Sequence, residues 1–402
     1  MLIKNNFFKG YFGNTKTYYK NLKKTKKIFN SFLVDFKNFE VPLLESYEKD
    51  YEFDFSPSTV KKFSHYKNIF IIGMGGSILG TKSIYSFLKN KIKKNVFFFD
   101  NLDPNLFAKY KEIKNLKNSC FIVAGKSGKT IETIINLSTI YSKNLIKNKL
   151  IIIAEPTDNS LINIANKYNA EIIEHKEFIS GRYSVLSETG MFPAALMGLN
   201  LKKFKNLKNL IKNKNFVKSL LQNVAYIYTL NIKGFNNSVI INYDSDLNDL
   251  GHWYQQLVAE SLGKKGKGIN PILSFGPKDH HSLLQLYLDG PKDKFFTFFN
   301  TLRNNNNLKL KKEAIPNTMN FLKKRNLKFI INAQSNAVKK IFKLKKIPYR
   351  EFTFVERNEA ELGKIFTFFV LETILLARLM KINPFNQPAV EQVKIETKNF
   401  LK

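Results

Sequence analysis

The 402-residue chain has a single cysteine, Cys120. That excludes an internal disulfide framework and a cysteine-based zinc site, and it fits a reducing cytosol. Long apolar runs are also missing. The best membrane candidate, Ile365–Met380, is broken by Glu372 and Arg378, so a buried or amphipathic helix is expected there. The opening Met1–Lys20 mixes Lys, Asn and aromatics without an apolar core, and no signal peptide is read in it. Arginine is scarce. It occurs only at 182, 303, 325, 350, 357 and 378, and lysine supplies the other 59 of the 65 cations.

Against 32 acidic residues these cations leave a formal charge of +33. The lysines are strewn along the chain among Asn, Phe and Ile. A nucleic-acid binder concentrates its cations on one face and uses Arg for base edges, so that partner is not expected. The excess is assigned to solvated surfaces, where it raises encounter rates with anions, small phosphorylated ones included. With 44% hydrophobic residues the chain can bury proper cores. The expectation is a cytoplasmic globular protein without membrane or nucleic-acid partners.

The first forty-odd residues, rich in Lys and Phe, read as an arm or packing helix. A β/α rhythm follows, with strands expected at Asn68–Ile72, Val96–Phe99, Cys120–Ala124, Leu150–Ala154 and Glu171–Ile173. Helices are expected at Leu79–Lys91 and Ile131–Leu145. Continuous β-branched runs between amphipathic helices predict a parallel sheet covered on both faces. The rhythm lapses over the Lys/Asn-rich helical stretch Lys202–Lys218. It resumes at Ser238–Asn242, Lys294–Asn300 and Leu327–Ala333, before a long apolar helix over Phe366–Met380 and a terminal helix after Pro388. Arg303–Leu308, with its asparagine run, reads as a surface loop. The fold class is therefore α/β with two doubly wound lobes. The expected boundaries are an N-terminal helical arm over 1–44, a first lobe over 45–220 and a second over 221–402.

Two glycine- and hydroxyl-rich turns follow expected strands. The first runs Gly73-Met74-Gly75-Gly76-Ser77-Ile78-Leu79-Gly80. Its glycines let the backbone approach an anion, and the following helix start offers free N–H groups. Ile78 stands where a dinucleotide fingerprint needs its third glycine. A tight strand–helix packing turn explains this segment equally well. The second runs Gly125-Lys126-Ser127-Gly128-Lys129-Thr130. Its spacing is two residues too short for a nucleotide P-loop. The hydroxyls and helix-start N–H groups still make a nest for a monophosphate, although a plain Ser/Thr cap needs only one hydroxyl. Both turns fall in one lobe at the carboxyl ends of parallel strands, where small molecules bind in open α/β sheets.

Further along, helical spacing places Gln256 and Glu260 one turn apart on one face. A carboxylate beside apolar and amide neighbours suits a general base, and an ordinary exposed helix glutamate is the alternative. Adjacent His280 and His281 point apart, which argues against metal; one imidazole can serve as acid or base, or as a cap. His65, His175 and His252 read as structural or surface residues. Arg182, in Ser180-Gly181-Arg182-Tyr183-Ser184, offers directional hydrogen bonds that lysine cannot imitate. Lys394 lies two helical turns beyond Gln387, so that both can face one cleft.

Together these segments resemble the phosphoglucose isomerase family, in its short bacterial-type form, from about Ile71 to Lys394. Gly181-Arg182-Tyr183-Ser184 and the Asn383–Lys394 run are similar to the two diagnostic stretches of that family. The resemblance implies two sugar isomerase domains, each a mainly parallel five-stranded sheet between helices, in a homodimer. It implies reversible conversion of D-glucose 6-phosphate to D-fructose 6-phosphate without metal or nucleotide. It further implies that Gly76, Ser77, Lys126, Ser127, Thr130, Gln256 and Gln387 bind substrate. His281, reaching in from the neighbouring subunit, and Lys394 would open the sugar ring. Glu260 would carry the proton between C2 and C1, and Arg182 would steady the negative charge. Several residues depart from the family pattern: Gly125 for a serine, Ser180 for a glycine, Asn386 for an aspartate, Ala389 for a glycine, and Asp279-His280 for Gly-Gln. The competing readings are another sugar-phosphate isomerase of the same fold and a sugar-phosphate-binding regulator without turnover.

Overall fold

The computed structural model describes residues 2–5, 15–111, 116–140, 148–302, 308–323 and 325–402. Among the described residues, ten strands form two five-stranded sheets. In chain order they are β1 (Leu2–Asn5), β2 (Asn68–Gly73), β3 (Asn95–Phe99), β4 (Ser119–Ala124), β5 (Leu150–Ala154), β6 (Glu171–Glu174), β7 (Asn237–Asn242), β8 (Asn270–Phe275), β9 (Lys294–Thr301) and β10 (Tyr349–Phe354).

The first sheet has the order β3-β2-β4-β5-β6 and is parallel throughout. Every residue of β2, β4 and β5 is buried, which is why these strands read as unbroken apolar runs. From β2 the chain steps outward to β3 and then crosses to β4 on the other side. The topological switch point therefore lies between β2 and β4. Gly73 pairs with Ala124, so both glycine-rich turns leave the sheet side by side at this crevice.

In the second sheet the order is β1-β10-β9-β7-β8, parallel except for β1, which runs antiparallel to β10. The N-terminal segment thus supplies an edge strand as well as the Lys16–Lys37 helix. The Glu359–Met380 helix is buried along nearly its whole length. Its Phe366 and Phe369 meet Trp253 and Tyr254 ring to ring. Glu372, which interrupts this apolar helix in sequence, is buried and ion-paired with buried Arg350 of β10. Arg350 also donates to Thr297 Oγ1 (2.9 Å) and Asn223 Oδ1 (3.2 Å). Among the described residues, no helix is long and apolar enough to cross a membrane.

Several expectations need correction. Leu327–Ala333 is the start of a helix, Leu327–Leu344, not a strand. The Asn326 side chain accepts from Phe329 N and caps it, while Ser335, Val338 and Phe342 bury one face at helical spacing. Strands β1, β8 and β10 were not foreseen; β1 lies in the stretch expected to be a helical arm. The Arg303–Leu308 loop lies outside the described residues apart from Leu308, and so does the stretch beyond Ile140 of the expected Ile131–Leu145 helix.

The two lobes meet through the Gly76–Leu88 and Asn248–Leu262 helices, which pack against each other. One hydrophobic core runs through both, from Ile69 and Ile71 to Phe299 and Phe352. This packing carries the turn after β2 to the face of the Asn248–Leu262 helix that holds Gln256 and Glu260.

Candidate active site

Arg182 is the hub. It sits in a short 3-10 turn, Gly181–Leu186, and is 1% exposed. Its Nε donates to Ser261 Oγ (3.0 Å). Its Nη1 donates to Glu260 Oε2 (3.0 Å) and to Gln387 Oε1. Its Nη2 donates to the carbonyls of Pro384 (2.7 Å) and Asn386 (3.0 Å). A buried guanidinium engaged on all three nitrogens is fixed in place.

Glu260 is held from both sides. Arg182 takes one carboxylate oxygen and Gln256 Nε2 donates to the other at 2.9 Å. The Glu260 side chain remains 30% exposed, whereas that of Arg182 is 1% exposed. Of the two partners in this ion pair, it is the one that a ligand can reach.

The turn after β2 is wedged against this cluster. Gly75 has φ +52°, and a Cβ there would lie 2.7 Å from Gln256 Nε2. A Cβ on Gly76 would lie 2.1 Å from the Gly181 carbonyl carbon. Only glycine permits this approach of two backbones. Ser77 is buried at the helix start, and Ser184 Oγ donates to Gly181 O (2.7 Å) and Gly76 O (3.4 Å).

In the neighbouring turn, Gly128 has φ +62° and lies so close to Asn159 that a Cβ would fall 1.8 Å from Asn159 Oδ1. Ser127 is exposed and Thr130 half-buried at the start of the Ile131–Ile140 helix. The Lys126 side chain turns aside: its Nζ donates to Glu177 O (2.7 Å) and lies 3.5 Å from Glu155 Oε1.

Two expected members are not joined to the group within the chain. His281 is exposed in the Lys278–His281 turn after edge strand β8. Among the described residues no hydrogen bond or ion pair links it to Arg182 or Glu260. Its neighbour His280 points the other way, to Tyr243 OH at 2.6 Å. Lys394 lies on the exposed Val390–Phe400 helix and donates to Glu391 Oε1 (2.7 Å). That helix begins three residues after Gln387, so Gln387 and Lys394 do not lie on one continuous helix. Pro388 and Ala389 form a turn between them.

A model of the phosphoglucose isomerase family matches residues 54–401. The chain belongs to the phosphoglucose isomerase family. Among curated members, the glucose-6-phosphate isomerase of Methanocaldococcus jannaschii is 33% identical over 379 residues, covering 90% of this chain and 92% of that one. The glucose-6-phosphate isomerase of Campylobacter jejuni is 29% identical over 371 residues, covering 87% and 88%. Solved structures share the fold at low identity. A hypothetical protein from Thermus thermophilus superposes with a TM-score of 0.85 at 19% identity, covering 100% of this chain and 99% of that one. A glucose-6-phosphate isomerase from Chlamydia trachomatis gives 0.71 at 18%, covering 86% and 71%.

Within this member of the phosphoglucose isomerase family, sequence reasoning missed Ser261, Tyr183, Lys264 and the carbonyls of Pro384 and Asn386. Tyr183 OH shares a hydrogen bond with Ser261 Oγ (2.9 Å) and donates to Pro384 O (3.3 Å). Their positions directly after Arg182 and Glu260 were the available signal. His175 is structural, as expected: it is buried, its Nδ1 lies 3.1 Å from Lys176 O, and burial pulls its pKa down to about 4.

Proposed function

We propose that the chain interconverts D-glucose 6-phosphate and D-fructose 6-phosphate by acid/base ring opening and proton transfer through a cis-enediolate. Family membership supports the reaction. The observation that carries the assignment of its centre is Glu260, partly open to solvent, with Arg182 on one carboxylate oxygen and Gln256 on the other.

The chemistry follows from that arrangement. Glu260 takes the proton from C2 of the open-chain aldose and returns it to C1, while the hydroxyl proton passes from the C2 oxygen to the C1 oxygen. As the carbonyl oxygen gains negative charge, Arg182 is the cation that steadies it. The phosphate rests on the two side-by-side turns, with Ser77, Ser127 and Thr130 offering hydroxyls and the helix starts offering N–H groups. Lys126, its ammonium drawn aside to Glu177 O, contributes through the backbone of the same turn, and Gln387 assists from beside Arg182. This non-reacting end supplies binding energy that orients the carbons near Glu260. Ring opening falls to His281 and Lys394, which pass a proton between ring oxygen and C1 hydroxyl.

The active unit is a homodimer in which His281 is supplied by the partner subunit. Two features support this. His281 is exposed and outside its own chain's cluster, and the terminal helix exposes Val393, Ile395 and Phe400, the last at 89%. The two lobes are divided as 45–220 and 221–402, after an arm over 1–44, and the enzyme works in the cytoplasm.

A coupled assay with fructose 6-phosphate, without added metal, tests the reading. Formation of glucose 6-phosphate is expected, at a higher kcat/KM than for other hexose phosphates. A folded chain that binds fructose 6-phosphate without turnover would return the assignment to a binding protein. Preference for a different sugar phosphate would return it to another isomerase of this fold.

A further inference from the structure

We propose that Lys264 is a positioning residue for this reaction: its Nζ hangs the Asn383–Gln387 segment from the end of the Asn248–Leu262 helix and so sets where Gln387 stands over Arg182 and Glu260. The inference rests on the isomerase reading given above.

Lys264 Nζ donates to Asn383 O at 2.6 Å and to Ser261 O at 3.2 Å. The second bond is an ordinary helix-end contact, because carbonyls in the last turn lack intrahelical partners and attract a cation. The first, shorter bond is not local; it crosses 119 residues of sequence. A lysine serving only as a cap would need the Ser261 carbonyl alone.

The segment it reaches is irregular in structure and depends on such anchors. Arg182 Nη2 holds the next carbonyls, Pro384 O and Asn386 O. Asn383 Oδ1 accepts from Phe385 N at 2.9 Å, a local turn contact. Downstream the Val390–Phe400 helix buries no residue and offers no support. Upstream, Lys267 Nζ donates to Met380 O (3.1 Å) at the end of the preceding helix. Three backbone carbonyls on two cations therefore fix the path to Gln387.

Two cations in one site repel, and burial followed by Arg182 pulls the Lys264 pKa down to about 8, with Glu260 acting in the opposite direction. The carbonyls of Ser261, Asn383, Pro384 and Asn386 offset that repulsion. Without Lys264, the first anchor of the segment is gone while Arg182 and Glu260 keep all their partners. Substrate binding through Gln387 should suffer more than proton transfer at Glu260.

The test is steady-state kinetics of the native chain, Lys264→Met and Lys264→Arg with fructose 6-phosphate, with inorganic phosphate as competitive inhibitor. Loss of one hydrogen bond from a charged donor predicts a KM for Lys264→Met raised about tenfold and phosphate inhibition weakened about tenfold, with kcat changed less than about threefold. Lys264→Arg, which keeps a charged donor, should recover most of the loss. An unchanged KM in Lys264→Met overturns the proposal. Equal KM increases in both variants with an equal fall in Tm also overturn it, assigning Lys264 to stability alone. Failure of the native chain to turn over fructose 6-phosphate would instead sink the isomerase reading, before either variant is compared.

Discussion

Arg182 Nη1 lies 3.0 Å from Glu260 Oε2, and the arginine is 1% exposed while the Glu260 side chain is 30% exposed. The pair is asymmetric in a useful way. The cation is anchored by neutral partners from Ser261, Pro384, Asn386 and Gln387, so its position does not depend on the carboxylate. A change at the carboxylate therefore leaves these anchors of the arginine in place.

That independence makes Glu260→Gln a clean variant. Gln keeps the shape and can still accept from Arg182, but it cannot carry a proton between carbons. Turnover should fall by about two to four orders of magnitude, the range expected for losing a positioned general base. Binding of an unreactive hexitol 6-phosphate, measured calorimetrically, should stay within a few-fold of native. Turnover near the native rate would remove Glu260 from the proton path.

How far the sequence reached depends on where each signal resides. Strands β2, β4 and β5 were legible because burial on both faces leaves an uninterrupted apolar run. Strand β10 was hidden by Arg350 and Glu351, charged residues whose burial makes sense only with Glu372 and Lys339 beside them. Strand β8 opens on Asn270-Pro271 and lies at the sheet edge, where proline is tolerated. Leu327–Ala333 was misread because a short apolar run does not separate strand from helix. In the site, the fold brings Arg182, Glu260, Gln256 and Gln387 into one group with the Gly75–Gly76 turn. Lys264 and the carbonyls around Arg182 left no trace, since a backbone acceptor has no side-chain signature and one lysine is lost among 59.

Gly76→Ala tests the wedge between the first turn and the arginine loop. A methyl group 2.1 Å from the Gly181 carbon and 2.5 Å from Arg182 N must push the two backbones apart. Misplacement on the order of 1 Å should lower kcat/KM about a hundredfold, with a lowered Tm. Native activity in this variant would show that the approach is dispensable.

The Arg350–Glu372 pair is expected to matter for stability alone. Both side chains are almost fully buried, so removing one strands a charge in the core. Arg350→Met or Glu372→Gln should each destabilise the fold by roughly 3 to 5 kcal/mol, read from denaturant midpoints. Replacing both with apolar residues should cost less than either single change. A double variant as unstable as the sum of its parts would mean that the pair's polar contacts, not its unpaired charge, set the loss.

Lys205 should leave a mark on the pH dependence of stability. It is 1% exposed, and its Nζ lies 3.8 Å from the Phe53 ring centroid and 4.3 Å from that of Tyr51. Burial pulls its pKa from 10.5 to about 7, against the opposing pull of Glu188 and Asp50. Between about pH 7 and 10.5 the unfolded chain therefore holds more of this proton, and stability from this group rises with pH; below about 7 the penalty is fully present. In Lys205→Met that rise should be lost, so the difference between variant and native denaturation midpoints should change with pH across this window. A pH-independent difference would contradict it.

A final prediction concerns the partner subunit. If His281 serves the neighbouring chain's Glu260, then Glu260→Gln and His281→Ala homodimers are each impaired. A mixed dimer has one site with both wild-type groups and one with neither. Random reassortment of equal amounts makes half the dimers mixed, with half their sites intact, so co-refolding should restore about a quarter of native activity. Mixing the folded homodimers without exchange should restore none. Recovery well below that fraction, with mixed dimers demonstrated by differential tags, would place His281 on its own chain's site or outside the reaction. His281 is exposed in the turn beyond edge strand β8 while His280 is engaged by Tyr243 OH, so of the two adjacent imidazoles His281 is the one this experiment probes.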